Sequence, residues 1–248
     1  MARIEEATQP STPRILPVGG GALVVEFGTT VDPAVNARVL ALDAALAAAA
    51  PPGVVETVPT FRSLMVHYDP GVTGAATLGE TIAGLLDHAG EAPAAERTWR
   101  IPVCYQGDDL APDLAEVAAR TGLAPEDVIA IHTGGRYRVY MLGFLPGFPY
   151  MGDLDRRLVL PRRADPRVRV PAGAVAIATT LTAVYPVESP GGWHLIGASP
   201  ARLFDPARDP PVPLAPGDAV VFEPVPRERF AALKARAAAG EPVIAEAP

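Results

Sequence analysis

Proline stands at 29 of the 248 positions, about twice the usual ~5%. The prolines are scattered between apolar runs, so they read as loop punctuation and not as low complexity. Each removes a backbone donor and fixes φ, which bounds the element beside it. They divide unevenly, 9 in residues 1–95 and 20 in residues 96–248. The charge divides with them: residues 1–95 hold 4 basic and 10 acidic side chains, the rest 17 and 18. The stretch Glu91–Glu96, EAPAAE, reads as a linker. A domain boundary is therefore expected there, giving a lobe 1–95 and a lobe 96–248. Hydrophobic residues make up 49% of the chain, enough for a core in each.

The first lobe reads as mixed α/β. Ala22–Phe27 follows a glycine turn, Gly19–Gly21, as a strand. Asp32-Pro33 opens a helix, with Asp as N-cap and Pro at the first helical position. Val35, Val39, Leu42 and Leu46 continue it at helical spacing. Val54–Val58 and Ser63–Tyr68 alternate as strands. Leu78, Ile82, Leu85 and Leu86 mark a second helix, with Gly90 beyond its end. This β-α-β-β-α order suggests a split βαβ lobe. The second lobe opens with a strand, Thr98–Val103, and two short helices, Pro112–Thr121 and Pro125–His132. Short runs then alternate with Pro/Gly turns: Arg136–Leu142, Val168–Val170, Ala174–Thr179, Val184–Val187, Trp193–Ile196 and Ala219–Glu223. Such a series predicts a barrel or sandwich, with a terminal helix over Pro226–Ala239.

Several function classes are disfavoured. The net charge of −7 argues against a nucleic-acid binder that works through phosphate contacts. One cysteine, Cys104, excludes an internal disulfide framework and any multi-cysteine metal or iron–sulfur site. It follows an apolar strand and reads as buried and inert. No metal site is expected. The N-terminal MARIEEATQPSTP has no apolar core of the signal-peptide kind, and Val39–Ala50 is too short and too interrupted to span a bilayer. A cytoplasmic protein is the expectation. Lys234 is the sole lysine, so a Schiff base or a phosphate-loop lysine has no other candidate. There is no phosphate loop, no G-x-G-x-x-G, no H-E-x-x-H and no nucleophile elbow. The chain alone does not read as a complete enzyme.

Three segments could carry chemistry. Five of the fifteen aromatic residues fall in Tyr137–Tyr150, within YRVYMLGFLPGFPYMG. Gly143 and Gly147 let that backbone turn, and Pro146 and Pro149 stiffen it. It is either a rigid aromatic loop walling a pocket or interface, or an aromatic mini-core. Arg156, Arg157, Arg162, Arg163, Arg167 and Arg169 crowd Arg156–Arg169 against Asp153, Asp155 and Asp165. Their planar forks suit an anion; the alternative is a self-paired surface loop. In Ser189–Gly197, SPGGWHLIG, two glycines turn into a tryptophan strand. There His194 is either a ligand or base, or a satisfied core side chain. His132 ends a helix, where the dipole favours its charged form.

These segments, with Phe61–Pro70, Ile131-His132-Thr133, Pro161–Val175 and Val184–Pro186, resemble the family of the 5-oxoprolinase B subunit. That family is also called allophanate hydrolase subunit 1. It includes the sporulation kinase A inhibitor and one half of the carboxyltransferase domain of urea amidolyase. The resemblance implies an α+β fold, a small N-terminal α/β lobe followed by a cyclophilin-like β-barrel. It implies a homologous partner, the C subunit, and a third protein, the A subunit, with which an ATP-dependent complex opens 5-oxoproline to L-glutamate. ATP would serve at the level of the complex, with no cofactor bound covalently. Alternatives within the family are a non-catalytic inhibitor of a histidine kinase and the carboxyltransferase half of a biotin-dependent urea/allophanate system. Neither nucleic acid nor membrane is an expected partner. Taken with the residues above, the resemblance puts substrate- or partner-binding candidates at His132, Tyr140, Phe144, Gly147, Phe148, Arg162, Arg163, Arg167, Thr182, Tyr185, Gly191, Gly192, Trp193 and His194. No catalytic residue is assigned. The chain departs from the family where Gln-Thr-Gly is common and Leu181-Thr182-Ala183 stands, and where Gln commonly follows GGW and His194 stands.

Overall fold

A computed structural model describes residues 12–88 and 97–247. The chain divides into two compact units, Met1–Ala94 and Ala95–Pro248. The linker Glu91–Glu96, the helix stop Gly90 and residues 1–11 of the N-terminal segment lie outside the described residues.

The first unit runs β1 (Arg14–Val18), β2 (Ala22–Glu26), α1 (Pro33–Ala49), β3 (Val54–Pro59), β4 (Ser63–Tyr68) and α2 (Ala75–His88). The strands form one sheet in the order β1-β2-β4-β3. Both β2 and β3 pair antiparallel with β4, so they run parallel to each other with β4 between them. With α1 as the crossover, this is a split βαβ unit. Helix α1 starts where Asp32 Oδ1 accepts from the amides of Ala34 and Val35, the cap and Pro33 start read from the sequence. Its Val35, Val39, Leu42 and Leu46 are buried against Leu23, Val25, Leu64 and Val66 of the sheet and Leu78 and Ile82 of α2. The sequence reading misses β1. Pro17 in Arg-Ile-Leu-Pro-Val argues against a strand, yet β1 is an edge pairing with β2 alone, where proline is tolerated.

The second unit continues with β5 (Thr98–Val103), α3 (Leu114–Thr121), α4 (Pro125–Gly134), β6 (Tyr137–Leu142), β7 (Pro149–Gly152), β8 (Arg167–Val170), β9 (Ala174–Ala178), β10 (Leu181–Val184), β11 (Ser189–Gly191), β12 (His194–Ala198), β13 (Ala219–Pro224), α5 (Arg227–Ala238) and β14 (Ala245–Glu246). Eight strands form one sheet, β12-β9-β10-β7-β6-β13-β5-β14, and β11 pairs separately with β8. The fold is α+β with a large sheet. By strand pairing this sheet is open, with β12 and β14 as edges, and is not the expected closed barrel. One bridge, Cys104 to Ala198, ties the residue after β5 to the end of β12. Its core joins Ile101, Val139, Met151, Val175, Ile177, Val220 and Phe222 of the sheet to Val117 and Val128 of α3 and α4.

Two boundaries differ from the sequence reading for local reasons. The strand expected at Val184–Val187 is Leu181–Val184, because Leu181 pairs with Ala178 across a tight turn in which Thr179 takes φ +52. Pro149–Gly152, expected as loop, is a strand with Pro149 as its first residue, a place where a missing donor is tolerated.

Candidate functional site

The aromatic segment folds as a hairpin. β6 and β7 are joined across Gly143–Phe148, and Leu142 pairs with Pro149. The turn is closed by Phe148 N donating to Leu145 O at 3.0 Å and Gly143 N donating to Phe148 O at 3.1 Å. Gly147 has φ +74, and a Cβ there would lie 2.7 Å from Leu203 O, so this position demands glycine. Phe144 has φ +67, a strained conformation for a bulky residue. It is 62% exposed. The hairpin therefore holds an aromatic ring in water at a backbone cost.

Behind Phe144 lies an aromatic cluster. The buried Phe148 ring meets Phe144, Tyr150, Tyr185 and Trp193 edge-on at 5.6, 4.9, 5.1 and 5.9 Å, geometry that adds to plain burial. Leu145 and Leu181 pack on its margin. Gly191 lets Tyr185 through, since a Cβ there would collide with the Tyr185 hydroxyl. Gly192 O accepts from Arg163 N at 2.8 Å, fixing the turn that presents Trp193. The Arg162 guanidinium lies 6.0 Å from the Trp193 ring centroid and has no carboxylate within 4.0 Å among the described residues. Burial pushes the Tyr150 phenol up, and that of Tyr185 to about 12. Arg162 pulls both back down, which places its charge beside this platform. The segment is thus an aromatic mini-core with the exposed Phe144 ring at its edge.

Arg163 and Arg167 are spent on a carboxylate of the chain itself. Asp113, which precedes α3, is buried and does not cap that helix. Its carboxylate accepts from Arg167 at 2.9 and 2.6 Å, Arg163 at 3.2 Å and Leu195 N at 2.7 Å. Arg163 also donates to Glu116 at 3.0 Å. The anion that Arg163 and Arg167 hold is the protein's own Asp113 carboxylate, so of the two readings of the loop the self-paired one describes these two arginines, with a partner outside the loop. Asp113 lies 50 and 54 residues from its partners. The one local hint is an aspartate at a helix start that does not cap.

Both candidate histidines are internal. His132 is fully buried, its Nδ1 2.7 Å from the Tyr105 hydroxyl and its Nε2 2.9 Å from Thr182 Oγ1. Thr182 in turn donates to Ala176 O at 3.1 Å. Tyr105 therefore donates to Nδ1, and Nε2–H donates to Thr182. Phe222 stacks on the ring at 4.6 Å. Burial lowers the His132 pKa to about 3, so it is neutral. This overturns the charged, helix-capping reading, because desolvation outweighs the dipole. Tyr137 donates to its carbonyl at 2.7 Å. Thr182 and His132 thus form one structural relay, apart from the aromatic platform. His194, also buried, donates from Nε2 to Pro161 O at 3.0 Å, while its Nδ1 has no hydrogen-bond partner. Tyr140 is buried, with its hydroxyl 3.3 Å from Asp153 Oδ1.

What this segment brings together is a buried aromatic cluster with Phe144 exposed on it and the Arg162 guanidinium beside Trp193. Residues 13–214 match the carboxyltransferase domain, subdomain C and D, and the chain belongs to that family. Among proteins, it is similar to the 5-oxoprolinase B subunit of Bacillus subtilis (strain 168), 40% identical over 228 residues, covering 88% of this chain and 95% of the relative. Among solved structures, that of TTHA0988 in space group P212121 is 42% identical with a TM-score of 0.75, over 83% of this chain. The chain spans 40% of the length of that protein. The urea carboxylase of Kluyveromyces lactis superposes with a TM-score of 0.77 over 97% of this chain at 18% identity. The chain spans 25% of the carboxylase, and at that identity the likeness is one of fold.

Proposed function

We propose that this chain is the B subunit of an ATP-dependent 5-oxoprolinase complex that opens 5-oxoproline to L-glutamate. It contributes one wall of a site completed by a homologous C subunit, with the A subunit supplying the remainder. The observation that carries this reading is 40% identity to a protein of that name across 95% of its length. The geometry agrees with a shared site. Phe144, strained and solvated, and the unpaired Arg162 beside Trp193 are groups that a partner or substrate would satisfy. ATP is handled by the complex, not by a phosphate loop in this chain, and the complex works in the cytoplasm. The second unit is cyclophilin-like on this reading, a description favoured by the Cys104–Ala198 bridge that draws the sheet toward closure. No helix among the described residues is long and apolar enough to cross a membrane.

Co-expression with a 5-oxoprolinase C subunit tests the assembly. The two chains should elute as one species at micromolar concentration on a sizing column. Separate elution would contradict the shared site.

A further inference from the structure

A concave region runs along α5, with Phe144, Tyr150, Arg162 and Trp193 outside its lining. It is a cleft of about 980 Å³, at the upper end of the ~300–1,000 Å³ typical of small-molecule sites. One wall is the face of α5 that carries Phe230, Lys234 and Ala238; the other is the turn at Gly173 and the segment Ser199–Phe204. The family match ends at residue 214, and α5 begins beyond it at Arg227.

The walls are rigid. Ser199 N donates to Gly173 O at 2.7 Å. Gly173 has φ +86, and a Cβ there would run into the Ser199 carbonyl, so the two segments meet at van der Waals contact. Phe230 is anchored beneath α5 against Cys104 and Val225. One turn on, the Lys234 ammonium sits 5.9 Å from the Phe230 ring centroid and has no carboxylate within 4.0 Å among the described residues. Arg169 and Arg202 line the same cleft. Their ion pairs, with Glu188 at 2.7 Å and Asp205 at 3.5 Å, are solvent-exposed, and such pairs exchange at little cost. The chain's sole lysine thus stands unpaired over an aromatic floor, in a cleft lined by four cations and two carboxylates, on a protein of net charge −7.

We propose that this cleft is a binding site for an amphipathic anion. The apolar tail lies along Phe230 and the alanines of α5, and a carboxylate or phosphate head sits on Lys234, with Arg202 or Arg169 within the same lining. The proposal does not depend on the reading of the chain as part of a 5-oxoprolinase.

Calorimetric titration of the full chain with octanoate, octyl phosphate and the uncharged 1-octanol tests it. At least one anion should bind saturably at one site, and 1-octanol at least ~10-fold more weakly, since losing a charged hydrogen-bond partner costs about ten- to a hundredfold. Which anion binds tells a carboxylate ligand from a phosphate ester. Lys234→Ala should reduce that anion to the level of the alcohol, Lys234→Arg should keep it, and Ala238→Trp should abolish it by filling the cleft. Both positions are exposed on α5, so circular dichroism should show all three variants folded. Absence of saturable binding by either anion at millimolar concentration would overturn the proposal. So would binding unmoved by Lys234→Ala and Ala238→Trp.

Discussion

Asp113 ties the start of α3 to the arginine loop and to β12. It receives two arginines and a backbone amide, and removing it would strand the Arg167 guanidinium, about three-quarters buried, and leave Arg163 with Glu116 alone. Breaking a buried pair from one side costs ~3–5 kcal/mol. Asp113→Ala should lower the unfolding free energy by about that much in a urea titration, whereas Arg162→Ala, with no ion pair to lose, should leave it unchanged. Equal stability of the two variants would mean that the Asp113 network is not structural. His132 gives a second expectation. Its folded pKa of about 3 lies below the unfolded value of ~6.5, so below pH ~6.5 the unfolded chain binds a proton that the folded chain refuses. The stabilising neutral form is fully favoured above that pH. Stability then falls by ~1.4 kcal/mol per pH unit on acidification toward pH 3. Denaturant titrations at pH 7 and 5 should show this loss in the native chain and a smaller one in His132→Gln. An identical loss in both would place the proton elsewhere.

At the scale of the element, the β6–β7 hairpin holds a strained, exposed Phe144 where the proposal places the partner. A non-glycine residue in the left-handed region costs ~1–2 kcal/mol, and Phe144 is both strained and largely solvated. Phe144→Asn, which tolerates that φ, should leave the isolated chain as stable or up to ~1 kcal/mol more stable while weakening the complex with its C-type partner about tenfold. A variant that loses stability and keeps assembly would make the ring a structural plug. The same hairpin shows how far sequence carries. The density of aromatics marked the segment, and glycine and proline marked its turn, because both signals are local. That Phe148 would be the buried centre and Phe144 the exposed tip was not legible, since both are Phe beside Gly or Pro and only packing against Tyr185 and Trp193 separates them. The arginine loop shows the complementary limit: its charge is a local signal, but Asp113 is brought to it only by the tertiary fold. Helix α1 was legible down to its cap because Asp32, Pro33 and the apolar spacing are all short-range. β1 and β14, edges of proline-bearing or two-residue sequence, carried no local signal.

At the scale of the whole molecule, the proposed shared site is what remains to be tested. Among the described residues no three His, Cys, Asp or Glu side chains are grouped to hold a metal ion, both buried histidines are engaged in internal hydrogen bonds, and the platform offers recognition groups without a nucleophile. Fold alone does not assign chemistry, so the decisive observation is turnover. The most direct measurement is ATP-dependent release of glutamate from 5-oxoproline, with this chain and the A and C subunits purified separately and recombined. Steady turnover is expected with all three, background rates with this chain alone, and loss of activity when it is omitted. Undiminished turnover without this chain, or turnover by this chain alone, would contradict the shared site.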